Sequence, residues 1–303
     1  MDYQQTIAAA VHCSGIGLHT GSKITLTIRP APPDSGIVFF RTDLVGKRKV
    51  RATAKSVGGT NFATSLIGDG FVISTIEHLM AALHGHGIDN ALVEVDGDEL
   101  PIMDGSAAAF SYLFNSAGLK SHQVPKRYMQ ILKPVVITEG DKRAALYPAD
   151  GFALTYEISY THPAIQNQRF DIVVTPQSFQ SELANARTFG FLAEVNLMRE
   201  SGLANGGGLE NAIVLGNYSV LNAGGLRHPD EFARHKALDM LGDLYMAGYP
   251  ILGRAHGFKS GHAMNHKLVM ALLEDKKAWR LVDGRPNRNA VADERQAVQV
   301  QAT

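Results

Sequence analysis

An α+β fold in two topologically similar halves, with a site between them, is what this sequence predicts. Three observations carry that expectation. Short β-branched runs bounded by Gly, Pro and Asp are mixed with amphipathic stretches in both halves. A non-periodic stretch, SAGLKSHQVPKRY, interrupts the pattern near 119–127 and reads as a linker. A coarse echo links the halves. After His78 the order is helix, strand pair, Asp104-Gly105-Ser106 and helix; after His235 it is helix, strand pair, Ser260-Gly261-His262 and helix. With 303 residues the chain is long enough for two domains of about 150. The expected division is an N-terminal α+β domain over 1–122 and a C-terminal one over 127–290, with a polar tail at 291–303.

Each element has its own warrant. KITLTI (23–28), IVFF (37–40) and ALVEV (91–95) are strand-like by residue type and by their turn-forming borders. SVGGTNFATSLIGDGFVIS suggests two strands joined at Gly68-Asp69-Gly70. Helices are expected from Thr75 to Gly85, where Ser74-x-x-Glu77 has the form of a capping box, and from Ala107 to Asn115. YMQILKPVVIT, RAALYPA, GFALTYEIS and FDIVVTP read as strands; 178–186, 194–201, 231–247 and 263–274 read as helices.

Composition narrows the function classes. Apolar residues make up 45% and charged residues 19%, and Lys plus Arg (29) equals Asp plus Glu (29), so no basic field invites nucleic acid. A single cysteine, Cys13, excludes an internal disulfide and a cysteine zinc knuckle. No apolar run approaches the ~18 residues of a membrane span. MDYQQTIAAAVHCSG lacks the basic flank of a secretory signal, so a cytoplasmic location is expected. Twelve histidines invite a search for ligands.

That search centres on RHKALDMLGD (234–243). His235, Asp239 and Asp243 recur every four residues, which puts them on one helix face with a drift of about 40° per step. On this helix alone a solvated salt-bridge stripe is the commoner origin of such spacing. Against it, Leu238, Met240, Leu241 and Leu244 interleave with the stripe, leaving little of the helix free for water. A buried charge needs a partner or a metal. Glu77 and His78 open another helix, where a local capping role and a functional one are equally open. In GFKSGHAMN, His262 either caps a turn or, if Asp243 reaches it, becomes a general acid with a raised pKa. NARTFGF offers the Thr188 hydroxyl and the Phe189 ring. GIGLHTG (15–21) has the wrong spacing and frame for a dinucleotide loop. His84 and His86 flank a helix end and read as dipole partners.

Together STIEHL, PIMDGSA, ARTFGF, HKALDMLGD and GFKSGHA resemble, in order and spacing from about residue 5 to 285, the bacterial UDP-3-O-(3-hydroxyacyl)-N-acetylglucosamine deacetylases of lipid A and lipopolysaccharide synthesis in Gram-negative cells. The resemblance implies two α/β sandwich domains, helices layered on small mixed sheets, facing each other across a zinc site. It implies His78, His235 and Asp239 as ligands, Glu77 as general base, and Thr188 as a hydroxyl donor to the oxyanion. It also implies His262 as the cation oriented by Asp243, and Lys236 as a substrate-supporting lysine. Residues 191–214 match a β-α-β insert whose apolar side lodges the acyl chain, with Leu197, Met198, Leu203 and Ile213 as lining. Phe189 matches an apolar wall, Lys142 a diphosphate contact and Lys259 a sugar-phosphate contact. Tyr160 matches a uracil stack, although Ser159-Tyr160 stands where the family commonly has Asp-Phe.

Hydrolysis of the N-acetyl group, releasing acetate and an amine, is therefore the expected activity, on a UDP-linked acylated glucosamine and by a monomer. Zinc and ferrous iron both accept the ligand set. An oxygen-using iron facial triad and a non-catalytic binding protein with a structural metal are the competing readings. An open fourth position beside Glu77 argues against the latter, because structural zinc sites are closed.

Overall fold

The computed structural model describes residues 2–46 and 48–285; the tail expected at 291–303 lies outside them. Its first half carries strands β1 (Tyr3–Ile7), β2 (Val11–Ile16), β3 (Lys23–Pro30), β4 (Ile37–Arg41) and β5 (Arg48–Arg51). A small sheet of β6 (Val57–Gly59), β7 (Ser65–Gly68) and β8 (Phe71–Ile73) follows, then helix α1 (Glu77–Gly85), β9 (Ala91–Val95) and helix α2 (Ala108–Ala117). Next come β10 (Leu119–Pro125), β11 (Arg127–Ile131), β12 (Val135–Glu139), β13 (Lys142–Tyr147), β14 (Phe152–Ser159) and β15 (Asn167–Val173). A short helix α3 (Pro176–Ser178), β16 (Phe189–Phe191), α4 (Leu192–Glu200) and β17 (Ile213–Leu215) form an excursion. Helix α5 (Glu231–Tyr245), β18 (Ile251–Phe258), α6 (His262–Glu274) and β19 (Trp279–Asp283) complete the described chain.

The two halves repeat one topology. In the first sheet the order is β2-β3-β9-β4-β5, antiparallel throughout except that β9 runs parallel to β4. In the second, β12-β13-β18-β14-β15 has the same order, with β18 parallel to β14 and the other pairs antiparallel. In each, the strand that follows the buried helix, β9 after α1 and β18 after α5, becomes the centre of the sheet, and alternating burial along β9 packs one face into the core. Strands β11 and β19 extend the second sheet beyond this shared set. The architecture is α+β with small mixed sheets. Helices α5 and α6 lie on β14–β15 and β12–β13, and α1 packs along α5. One hydrophobic cluster runs from Leu26 and Val93 through Leu79 and Leu241 to Leu154 and Ile172.

Several expectations need correction. The connections from α1 to α2 and from α5 to α6 each hold one strand, not a pair. Beyond β9 the chain makes only the isolated bridges Ser74↔Glu99 and Gly17↔Pro101, and Pro101 has no N–H for a ladder. The expected linker is β10, which pairs antiparallel with β1 (Gln5↔Ser121, Ile7↔Leu119). Its side chains are mostly exposed, so only backbone hydrogen bonding defines it and no alternation advertises it. The anticipated two-strand segment before α1 gains a third strand, β6. Helix α1 begins at Glu77 rather than Thr75, because Thr75 sits at φ 58°, outside helical space. The capping box is not made; the Ser74 hydroxyl donates to the Asp98 carbonyl instead. At 178–186 the helix is one α turn and a π turn, Phe179–Leu183, whose wide spacing buries both of those residues.

Candidate active site

The site begins with a glycine. A Cβ added to Gly242 on α5 would lie 2.1 Å from the Glu77 carbonyl oxygen and 3.1 Å from the Ala81 nitrogen on α1. Only a residue without a side chain lets the two helices meet backbone to backbone. That approach brings His78 beside His235 and Asp239, one ligand atom from each lying within 4.8 Å of the others. His78 Nε2 is 3.6 Å and His235 Nε2 3.3 Å from Asp239 Oδ1. All three side chains are buried, and 13 of the 15 residues of α5 are buried, so its polar stripe does not face water.

The surroundings fit a cation. Asp239 Oδ2 accepts a 2.7 Å hydrogen bond from Lys236 Nζ, while Oδ1 is buried without any hydrogen-bond partner. A buried carboxylate oxygen left unpaired is costly. His235 Nδ1 meets the Ala186 carbonyl at 3.1 Å; donating there leaves the Nε2 lone pair towards Asp239. Burial pushes His235 down to about 3, so the ring is neutral, as a ligand must be. Burial opposes ionisation of Asp239, yet the Lys236 ammonium and the His262 cation hold it well below the usual carboxylate range. Lys236 is raised despite its burial, by Asp239 and Tyr156. Two imidazoles and one carboxylate are the donor set of a catalytic divalent metal.

One turn further along α5, Asp243 anchors a second cluster. Its Oδ2 accepts from His262 Nδ1 and from Asn265 Nδ2, both at 2.9 Å, and its Oδ1 accepts from the Thr64 hydroxyl at 2.6 Å. His262 Nε2 lies 3.8 Å from Glu77 Oε1. Burial alone would lower the His262 pKa, but Asp243 and Glu77 lift it to about 10. Glu77 is raised by burial, with His262 and His78 opposing; its Oε2 accepts the Thr64 backbone N–H at 3.0 Å. Thr64 and Asn265 went unread in the sequence. Asn265 sits one turn after His262 on α6, a spacing that offered a signal. Thr64 is 179 positions from Asp243 and offered none.

Beside this, the segment 186–191 forms a wall. Thr188 is pinned by its backbone, N–H to the Gly105 carbonyl and C=O from the Ile213 N–H, each at 2.7 Å. The Phe189 ring packs 6.3 Å from His235 and 5.0 Å from Phe232, with Lys236 Nζ 5.6 Å over it. Tyr160 lies against Phe189 and Phe191 at 6.2 and 5.8 Å. Lys259 Nζ binds Asp141 at 2.6 Å, next to exposed Lys142, at an outer end of the second sheet.

A cavity of about 350 Å³ adjoins Thr188 and Phe189. Met198 lines it, with Leu18, Phe62, Val195 and Val214. Leu197 and Leu203 are not among its lining residues: Leu197 is 63% exposed, and Ile213, the other residue expected there, is fully buried in the core. The parallel pair β16–β17 joined through α4 is the anticipated β-α-β insert, and its helix buries no residue completely. The opposite wall comes from GIGLHTG. This loop wraps the protein's own Glu99 carboxylate, which accepts the His19 and Thr20 N–H groups at 2.8 and 2.9 Å. Its Leu18 and His19 carbonyls take the Gly206 and Asn205 N–H groups, docking the insert. His84 and His86 are not cationic dipole partners; burial pushes both down to about 4, His84 stacked on Tyr245 and His86 bonded to Ser111.

The family described as UDP-3-O-acyl N-acetylglycosamine deacetylase matches residues 4–274. Proteins named UDP-3-O-acyl-N-acetylglucosamine deacetylase are similar along nearly all of the chain. One from Myxococcus xanthus is 49% identical, covering 93% of this chain and 90% of its own. One from Shewanella sp. (strain W3-18-1) is 48% identical, covering 93% of each. One from Teredinibacter turnerae is 44% identical over 92% of this chain and 93% of its own. With its buried His78, His235 and Asp239 cluster beside Glu77 and His262, the chain belongs to the UDP-3-O-acyl N-acetylglycosamine deacetylase family, which is metal-dependent.

Proposed function

We propose that this protein is a zinc-dependent amidohydrolase of the cytoplasm. It hydrolyses the N-acetyl group of UDP-3-O-(3-hydroxyacyl)-N-acetylglucosamine to acetate and a free amine, the committed step of lipid A synthesis. The observation that carries the reading is the unpaired, buried Asp239 Oδ1 between two histidines, facing a base and an acid from separate helices. His78, His235 and Asp239 would hold the ion. When bound there, zinc supplies Lewis acidity, lowering the pKa of a water and polarising the acetamide carbonyl.

The chain's own residues do the rest. Glu77 accepts the proton of the attacking water; as that oxygen joins the carbonyl carbon, the carbonyl oxygen gains charge. Thr188 and the His262 cation stabilise that charge by hydrogen bonding. His262, held by Asp243 and cationic at neutral pH with its pKa near 10, protonates the nitrogen as the C–N bond breaks. The acid formed passes its hydroxyl proton to the amine, acetate and the protonated amine leave, and Glu77 returns its proton to His262. Lys236 keeps Asp239 ionised and reaches past Phe189 towards substrate. The 350 Å³ cavity takes the acyl chain, with Met198 in its wall. Tyr160 and the Lys142–Lys259 edge face the nucleotide, Tyr160 stacking on the base without a neighbouring carboxylate at Ser159.

The test measures acetate release from the acylated sugar nucleotide alongside elemental analysis. Chelation should abolish turnover, one equivalent of zinc should restore it, and Glu77→Ala should lower kcat by at least ~100-fold. A Glu77→Ala protein that kept most of its activity, or turnover indifferent to chelation, would end the reading.

A further inference from the structure

We propose that Thr64 is a positioning residue whose hydroxyl aligns Asp243, and through it the His262 acid, beside a backbone tie from the same residue to the Glu77 base. The proposal rests on the deacetylase reading above and adds to it a residue with no part in the ligand set. Thr64 is 3% exposed and precedes β7 in the first half of the chain. It makes three separate ties. Its backbone N–H donates to Glu77 Oε2 at 3.0 Å, its hydroxyl donates to Asp243 Oδ1 at 2.6 Å, and its carbonyl accepts the Ile76 N–H at 3.3 Å just before α1.

The division of oxygen atoms gives these ties their meaning. With Oε2 of Glu77 engaged by Thr64, Oε1 is the oxygen nearer His262 Nε2, at 3.8 Å. With Oδ1 of Asp243 engaged by Thr64, Oδ2 is left for His262 Nδ1 and Asn265 Nδ2. A carboxylate turns about its last torsion with little resistance, so a donor on one oxygen fixes where the other points. The Thr64 backbone N–H thus fixes Glu77 whatever the side chain, while its hydroxyl sets the Asp243 oxygen that orients the imidazole, and it is this second contact that substitution removes. Thr64 also links the base on α1 to Asp243 on α5, which in turn holds the acid of α6. A side chain that merely satisfied a buried carboxylate would stabilise the fold but would leave the proton-transfer geometry untouched.

The experiment uses the full-length, metal-loaded enzyme with Thr64→Val, Thr64→Ser and Thr64→Ala. Loss of the hydroxyl should lower kcat by ~10- to 100-fold, the usual cost of removing a partner that orients a site residue, with KM and metal content little changed. Thr64→Ser should recover most of kcat. Combined with Asp243→Asn, Thr64→Val should add almost no further loss, since both act through one contact. Thr64→Ala serves should the valine methyl prevent folding. Independently of turnover, the ¹⁵N-histidine Nδ1–H resonance of His262 should move in Thr64→Val and return in Thr64→Ser. Wild-type kcat in both the valine and alanine variants, or additive losses with Asp243→Asn, would overturn the proposal. If the wild-type protein releases no acetate, the deacetylase reading fails by itself, and the resonance still decides: unmoved in Thr64→Val, it refutes the role of Thr64.

Discussion

Replacing Gly242 by alanine tests whether the close contact of α1 and α5 makes the site. In a helix interior this change ordinarily gains about 1 kcal/mol, because glycine loses more backbone freedom on folding. Here the new Cβ meets the Glu77 carbonyl oxygen at 2.1 Å and the Glu77 carbonyl carbon at 2.9 Å, both backbone atoms that cannot rotate away. Restoring ordinary contact at about 3.2 Å requires the helices to part by roughly 1 Å, and overpacking of this kind costs about 1–3 kcal/mol. The two effects nearly offset, so the melting temperature should fall by only a few degrees. Activity should respond far more. Parting α1 from α5 moves His78 and Glu77 away from His235 and Asp239, and a displacement near 1 Å costs on the order of 100-fold in rate. The assays are thermal unfolding, metal affinity by competition with a chelator, and kcat/KM for acetate release. A Gly242→Ala protein with wild-type kcat/KM and wild-type metal affinity would show that the helix contact does not set the site, and the reasoning would fail.

Two other outcomes follow from the packing around the site. Glu231 is fully buried; burial works against its ionisation, but Arg187 at 2.9 Å and the backbone N–H groups of Arg187 and Arg227 hold its carboxyl below the usual range. Its stabilising contribution is thus present above the unfolded pKa of about 4.3 and lost as pH falls through the folded value. Glu231→Gln should cost about 3 kcal/mol at pH 7, and its difference from wild type in thermal melts should shrink in acid; a gap that widens instead would contradict the sign. Val195→Trp narrows the 350 Å³ cavity. Excluding about three methylenes at ~0.8 kcal/mol each should lower kcat/KM for a long-chain substrate by roughly 60-fold and spare a short-chain one. Equal losses on both would place the acyl chain elsewhere.

What was legible in the chain follows the physics of each element. β9 was readable to the residue because ALVEV alternates and packs one face on a helix layer. β10 was not, since a ribbon held by backbone bonds leaves no trace in side-chain pattern. β5, RKVR, is charged and buries one residue, so it resembles a loop. The α1 start was misplaced because Ser74-x-x-Glu77 satisfies the capping formula, while the real demand is for Thr75 to turn at positive φ and Glu77 to face inward. In the site, the four-residue spacing on α5 put His235, Asp239 and Asp243 on one face, a local fact that sequence can carry. That His78 meets them is a tertiary fact. It rested on resemblance, and in space it depends on Gly242, which looks unremarkable in HKALDMLGD. Thr64 lay beyond both kinds of signal, being recognisable only through what its hydroxyl touches.

Around the repeated topology the two halves contribute unequally to the site. Both halves make the same five-stranded order, and both are interrupted at the same point, between the edge strand (β5 or β15) and the helix α1 or α5. In the first half the interruption is β6–β8, which supplies Thr64 and, in its loop, Phe62 of the cavity wall. In the second it is the excursion from α3 to β17, which supplies the Ala186 carbonyl that orients His235, together with Thr188, Phe189 and Met198. The helices that follow, α1 and α5, then carry Glu77 and the candidate ligands His78, His235 and Asp239. Each insertion lies outside the five-stranded orders and contributes residues to the cavity wall. The cavity and the buried polar cluster thus sit in the insertions and on α1 and α5, while the two matching sheets supply the rigid frame beneath them.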